Sequence, residues 1–227
     1  VIMEAIYHTE NGGFDFVNLH WYYIFDVNRP AIDLATDKNL GVYIISPTDK
    51  GGMLQNPPKL LIELCSPLSP ILFNDLYCLD KQGVTSIGVG ASKISDFEEH
   101  LKCLPLLIDD NKKALLKTIN DKLEKRMKTQ TGYSRPDALW DLFPAWQENP
   151  GNINCAMTAW LFMLAKGWNL HDYARQRYEK LSTGSQWVPG NNCSKVTEYA
   201  VKFLTDKTTL SEQEITKLFS EAHLLLS

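Results

Sequence analysis

No two of the five cysteines, Cys65, Cys78, Cys103, Cys155 and Cys193, stand in a C-x-x-C spacing, and an odd number cannot all pair. That excludes a disulfide framework and the common zinc spacings. It leaves buried free thiols as the expectation. No secretory leader pattern opens the sequence, so a reducing, cytoplasmic setting is expected and the Asn192-Cys193-Ser194 sequon is read as coincidence. Long apolar runs are missing too. The longest, Ala156 to Ala165, is interrupted by Thr158 and falls well short of the about 20 residues that span a bilayer, so no membrane partner is expected. Basic charge is in deficit: 23 Lys and Arg face 27 Asp and Glu, for a net charge of -4. Such a chain offers no cationic field to a nucleic-acid backbone, and the locally basic stretch Lys112 to Lys128 reads as a solvated helix face. Low-complexity tracts and internal repeats are absent, which removes disorder and solenoid architectures from consideration.

What is present is an ordinary globular composition, 44% hydrophobic and 22% charged over 227 residues, enough for one large domain or two small ones. The first part alternates strand and helix patterns, as a parallel sheet with helical crossovers requires. Three strands are expected: the aromatic, β-branched run Phe14 to Phe25, the continuous apolar run Gly41 to Ser46, and Val84 to Val89. All three read as buried on both faces. Pro30 opens a crossover helix through Ile32, Leu34 and Ala35. The connection from Pro57 to Gln82 is broken by Pro67 and Pro70 into two helical pieces. Ser95 with Glu98 forms a capping box for a helix from Asp96 to Cys103. Beyond Pro105 the strand pattern stops. Stripes at Leu116, Ile119, Leu123 and Met127, then at Ile153, Ala156, Met157, Trp160, Leu161 and Leu164, then at Leu170, Tyr173, Ala174 and Tyr178, indicate helices. Ser211 with Glu214 caps a final one.

Two loops carry chemistry. The run Gly41-Val42-Tyr43-Ile44-Ile45-Ser46-Pro47-Thr48-Asp49-Lys50-Gly51-Gly52 is a buried strand entering a polar, glycine-bearing turn, which suits a phosphate or cofactor loop or a plain turn. The run Val84-Thr85-Ser86-Ile87-Gly88-Val89-Gly90-Ala91-Ser92-Lys93 repeats that logic before a helix start, where Lys93 adds positive charge for an anion.

Together the loops resemble the seventh and eighth strand regions of the aldo/keto reductase superfamily, its S-P-L-G-x-G and G-A-S-K-P-x-x-x-x-E-N segments. Phe14-Asp15-Phe16-Val17-Asn18-Leu19-His20-Trp21 is similar to the sixth strand. The resemblance covers about the first hundred residues. It implies the C-terminal half, strands 6 to 8, of a TIM-type (β/α)8 barrel in residues 1–105, followed by an α-helical extension in residues 106–227. It also implies an NADPH-dependent oxidoreductase that passes hydride to an aldehyde or ketone carbonyl.

On that resemblance Asn18 holds the nicotinamide carboxamide and Ile45 stands at its stacking position. Ser46, Thr48 and Gly51 line the pyrophosphate beside Gly90, while Ser92 and Lys93 meet the adenosine ribose and its 2'-phosphate. Glu99 and His100 stand at the adenine contacts, the latter in place of asparagine. Asp96 replaces a customary Arg or Gln, and a carboxylate there weakens preference for NADP over NAD. The family's Asp/Tyr/Lys/His set has no match upstream of Phe14, so no catalytic residue is assigned and no metal is expected. The expected partners are a carbonyl substrate and either a missing N-terminal half or a second copy covering the open sheet edge. The alternative is a non-catalytic nucleotide-binding or interaction module.

Overall fold

The computed structural model describes residues 2–7, 13–91 and 93–227. It forms two compact units, Val1–Leu123 and Glu124–Ser227.

In the first unit α1 (Ile2–Tyr7) precedes β1 (Phe16–Leu19), α2 (Arg29–Asp37), β2 (Gly41–Ile45), α3 (Pro47–Lys50), α4 (Lys59–Cys65), α5 (Pro70–Asp80), β3 (Val84–Gly88), α6 (Ile94–Leu101) and α7 (Cys103–Leu107). The three strands pair in parallel in the order β1-β2-β3. Proline sets the helix boundaries here as its fixed φ and missing N–H dictate. Pro70 opens α5, and the Ser69 hydroxyl accepts from the Leu72 N–H at 3.2 Å.

The expected half-barrel is not what forms. Strands of four, five and five residues make a small open sheet within a mostly helical chain, too little strand for half of an eight-stranded barrel. The long strand expected over Phe14 to Phe25 stops at Leu19. Past it the chain closes a tight antiparallel turn, Tyr22 N–H to Phe25 O at 3.1 Å and Phe25 N–H to Tyr22 O at 2.9 Å. The aromatics that gave the run its strand character are buried against α5 instead: Trp21 stacks on Tyr77 at 4.8 Å, and Tyr23 meets Phe73 edge-on at 5.0 Å. Nor are the strands covered on both faces. Leu19, Val42 and Ile44 are buried, whereas Phe14 and Phe16 are 61% and 59% exposed.

The second unit is helical. α8 (Lys112–Thr131) passes from the first unit into it, followed by α9 (Cys155–Trp168), α10 (His171–Lys180), α11 (Glu198–Lys207) and α12 (Glu212–Leu226). α9 is its axis: Thr158 through Ala165 are all buried, and α10 and α12 pack against it. Gly167 on α9 lets α8 approach closely: a Cβ there would lie 2.4 Å from the Met127 sulfur, so that side chain would have to shift. Among the described residues no helix is long and apolar enough to cross a membrane. All five cysteines are buried and unpaired.

Candidate functional site at the strand ends

The parallel register places the carboxyl ends of all three strands at one edge, with Leu19 opposite Ile44 and Ile45 opposite Gly88. That is where ligands sit in parallel α/β sheets, because loops and helix starts converge there. At the end of β2, Ser46 takes a left-handed conformation (φ 54, ψ 43) and starts the single turn of α3. Its N–H continues the ladder to Gly88 O at 3.1 Å, and its carbonyl accepts from Lys50 N–H at 3.1 Å.

α3 sends one side chain to each of two histidines. Toward β1, Lys50 Nζ lies 3.3 Å from His20 Nε2, His20 Nδ1 lies 2.6 Å from the Tyr22 hydroxyl, and that hydroxyl donates to the Ile45 carbonyl. This order fixes the protons. Tyr22 has given its own to Ile45, so it accepts from Nδ1–H, and Nε2 is left as a lone pair facing the Lys50 ammonium. Burial, and after it the positive charge of Lys50, holds His20 down at about 4, with the Ile45 carbonyl pulling the other way. His20 is therefore neutral at pH 7.

Toward α6, Thr48 Oγ1 lies 3.4 Å from His100 Nε2, and His100 Nδ1 lies 2.5 Å from Asp75 Oδ2 on α5. All three side chains are buried. The hydrogen bond to Asp75 raises His100 above its ordinary value against the opposing effect of burial, while burial raises the Asp75 carboxyl against the pull of His100, so the two hold a proton between them along one buried hydrogen bond. Next to Asp75, Asn74 clamps the α3 turn, its amide donating to Pro47 O at 3.1 Å and accepting from Tyr23 N–H at 3.3 Å.

The structure thus unites Thr48 with His100 and brings Ile45 and Ser46 beside His20 and Lys50. Gly51 is buried, its N–H bonded to Pro47 O at 3.0 Å; a Cβ there would lie 2.1 Å from that oxygen. Gly52 N–H and Met53 N–H both reach Asp49 O, and Leu54 N–H reaches Thr48 O. These backbone donors are thereby committed within the turn. Asn18 is exposed on β1. Gly90 is exposed with nothing near its Cβ direction. Ser92 lies outside the described residues. Lys93 is exposed as the N-cap of α6, and Asp96 accepts its backbone N–H at 3.2 Å, a use of the carboxylate that the helix start itself explains. Glu99 accepts from Lys102 at 2.6 Å and Ser69 at 2.5 Å, which hold its carboxyl low.

Tyr22, Asn74 and Asp75 were missed in the sequence reading. The signal was there for two of them: an Asn-Asp pair inside the apolar run of Leu72, Phe73 and Leu76 must be buried, and buried polar groups are held by partners. Among the described residues no cluster of three His, Cys, Asp or Glu side chains could hold a metal ion. No family model, no curated protein and no solved structure matches the chain.

Proposed function

We propose that the strand-end edge of the first unit binds a pyridine dinucleotide, NADP or NAD, as the resemblance to aldo/keto reductases implies. The carrying observation is that Asn18, Ser46 with Lys50, and Gly90 with Lys93 stand at the ends of three adjacent parallel strands. The donor set fits such a ligand through side chains. With the amides of Ser46 and of Lys50 through Leu54 engaged within the protein, phosphate oxygens would be met by the Lys50 and Lys93 ammonium groups and the Ser46 hydroxyl. Asn18 offers an amide of the kind that orients a carboxamide.

A reduced nicotinamide would supply hydride to an aldehyde or ketone carbonyl. The chain's own contribution at this edge is electrostatic: Lys50 carries a proton shared with the lone pair of His20 Nε2, whose tautomer Tyr22 fixes. Buried, unpaired thiols fit a cytoplasmic, reducing setting. A second reading, an interaction module that binds no nucleotide, is favoured by one observation, the internal commitment of those backbone amides.

The test is titration of the full chain with NADPH and NADH, following fluorescence of its six tryptophans and of the nicotinamide. Saturable binding is expected, weakened about fivefold by Lys93→Ala for NADPH and less for NADH, as befits a solvent-exposed ion pair to the 2'-phosphate. A folded chain that binds neither nucleotide establishes the second reading.

A further inference from the structure

Along α6, α7 and the residue that caps α7, five large apolar side chains are left bare: Ile94, Phe97, Leu101, Leu104 and Ile108, exposed by 80, 53, 59, 57 and 86%. Their spacing is three, four, three, four, the period of a coiled-coil seam. The two helices keep this period because Lys102 between them stays helical (φ -63, ψ -14). The inward face of the same helices is already used, with His100 and Cys103 buried against Asp75 and its surroundings. Beside the stripe a cleft of about 500 Å³, walled by Phe97, Leu101 and Leu104 together with Ile87 and Val89 and also lined by Asp75 and His100, continues the mostly apolar surface toward β3.

The flanks of the stripe say what covers it. In heptad terms Ile94 and Leu101 are a positions and Phe97 and Leu104 are d positions. Lys93, the extended N-cap of α6, stands one residue before the stripe where a g position would fall, and Glu98 holds the e position on its other side, both exposed. In two parallel helices a g residue meets the partner's e residue five positions on, which sets Lys93 against Glu98 of a second copy, twice by symmetry. An antiparallel pairing would oppose Glu98 to its own counterpart. His100, the next g residue, is turned inward to Asp75 and takes no part. Five such side chains expose on the order of 500 Å² per copy, the size at which a bare apolar patch is commonly functional. Two such patches with their rims approach the roughly 1,200 Å² of a specific interface.

We infer that this chain associates with a second copy of itself through a parallel, two-fold pairing of the α6–α7 stripes, held in register by reciprocal Lys93–Glu98 ion pairs. The pairing shares Lys93 with the proposed nucleotide site, so it is tested without nucleotide and through Leu101, which the nucleotide reading does not use. Sedimentation velocity of the full chain, without nucleotide and up to about 100 μM, tests it. The wild type is expected to dimerise, and Leu101→Asp, at an exposed position, is expected to be monomeric with an unchanged circular dichroism spectrum. Lys93→Glu alone and Glu98→Lys alone each set like charges together twice and should weaken the dimer about tenfold. Mixed one to one, the two variants should recover wild-type affinity, because each then meets its complement. A wild type that stays monomeric throughout the range, or a dimer unmoved by Leu101→Asp, overturns the inference. A dimer that the charge reversals leave unchanged, or whose mixed variants fail to recover, overturns the parallel register.

Discussion

His20 and His100 stand on opposite sides of the four-residue helix α3, each touched by one of its side chains, and their proton affinities are shifted in opposite directions. His20 faces a lysine in a half-buried setting and is neutral; His100 faces a buried carboxylate and favours its proton. The difference lies in the neighbours, not in the fold position. On the β1 side the polar chain remains partly open to solvent, so its members can be recruited by a ligand. On the α6 side the Asp75–His100–Thr48 chain is buried, with Asp75 and His100 reaching only the small cleft beside α6, and it ties α3 to α5 and α6. One end of the turn stays half-open to solvent while the other is tied down.

The contrast breaks most visibly under substitution of the carboxylate. Asp75→Ala would leave His100 buried beside no counter-charge and should cost about 3 kcal/mol in chemical denaturation, whereas Lys50→Ala on the solvent-facing side should cost under about 1 kcal/mol. Equal losses would show that the two sides are equally structural.

A smaller effect separates the two glycine loops. Gly51→Ala drives a Cβ into the Pro47 carbonyl and should cost about 2 kcal/mol, while Gly90→Ala meets nothing and should stay within about 0.5 kcal/mol of wild type. The melting temperatures of the two variants decide whether the first loop is as tightly packed as its geometry says.

The most graded expectation concerns pH. His20 sits below its ordinary value of 6.5, at about 4, so between those limits the unfolded chain binds a proton that the folded chain refuses. Stability therefore falls as pH drops through that window, and His20→Gln should flatten this limb. His100 is raised, so its contribution is fully present below 6.5 and is lost as pH rises through its folded value; His100→Gln should flatten that opposite limb. Urea denaturation across pH reads both, and variants that flatten the same limb would defeat the contrast.

Much of the scaffold is legible in the sequence where a residue type has a local mechanical effect. Prolines 67 and 70 separate α4 from α5, the apolar run at Gly41 marks β2, and Ser211 with Glu214 caps α12 in both directions, at 3.3 and 2.8 Å. The capping box read at Ser95 and Glu98 is displaced, because Lys93 and Asp96 form the helix start two residues earlier. The barrel reading failed where local character and tertiary use diverge: Trp21 and Tyr23 have strand propensity but are spent on packing against α5, and Tyr22 on the His20–Ile45 chain. For the site, Thr48 and His100 were found on separate motifs. Their junction through Asp75 was not, because a hydrogen bond between residues 25 apart leaves no periodicity to read.

In the second unit, Met127 occupies the space that any side chain at position 167 would need. Over evolutionary time these two positions are one inherited character. A lineage that replaces Gly167 must re-seat or shorten the side chain at 127, and one that shortens Met127 inherits a void that a larger residue at 167 is then free to fill.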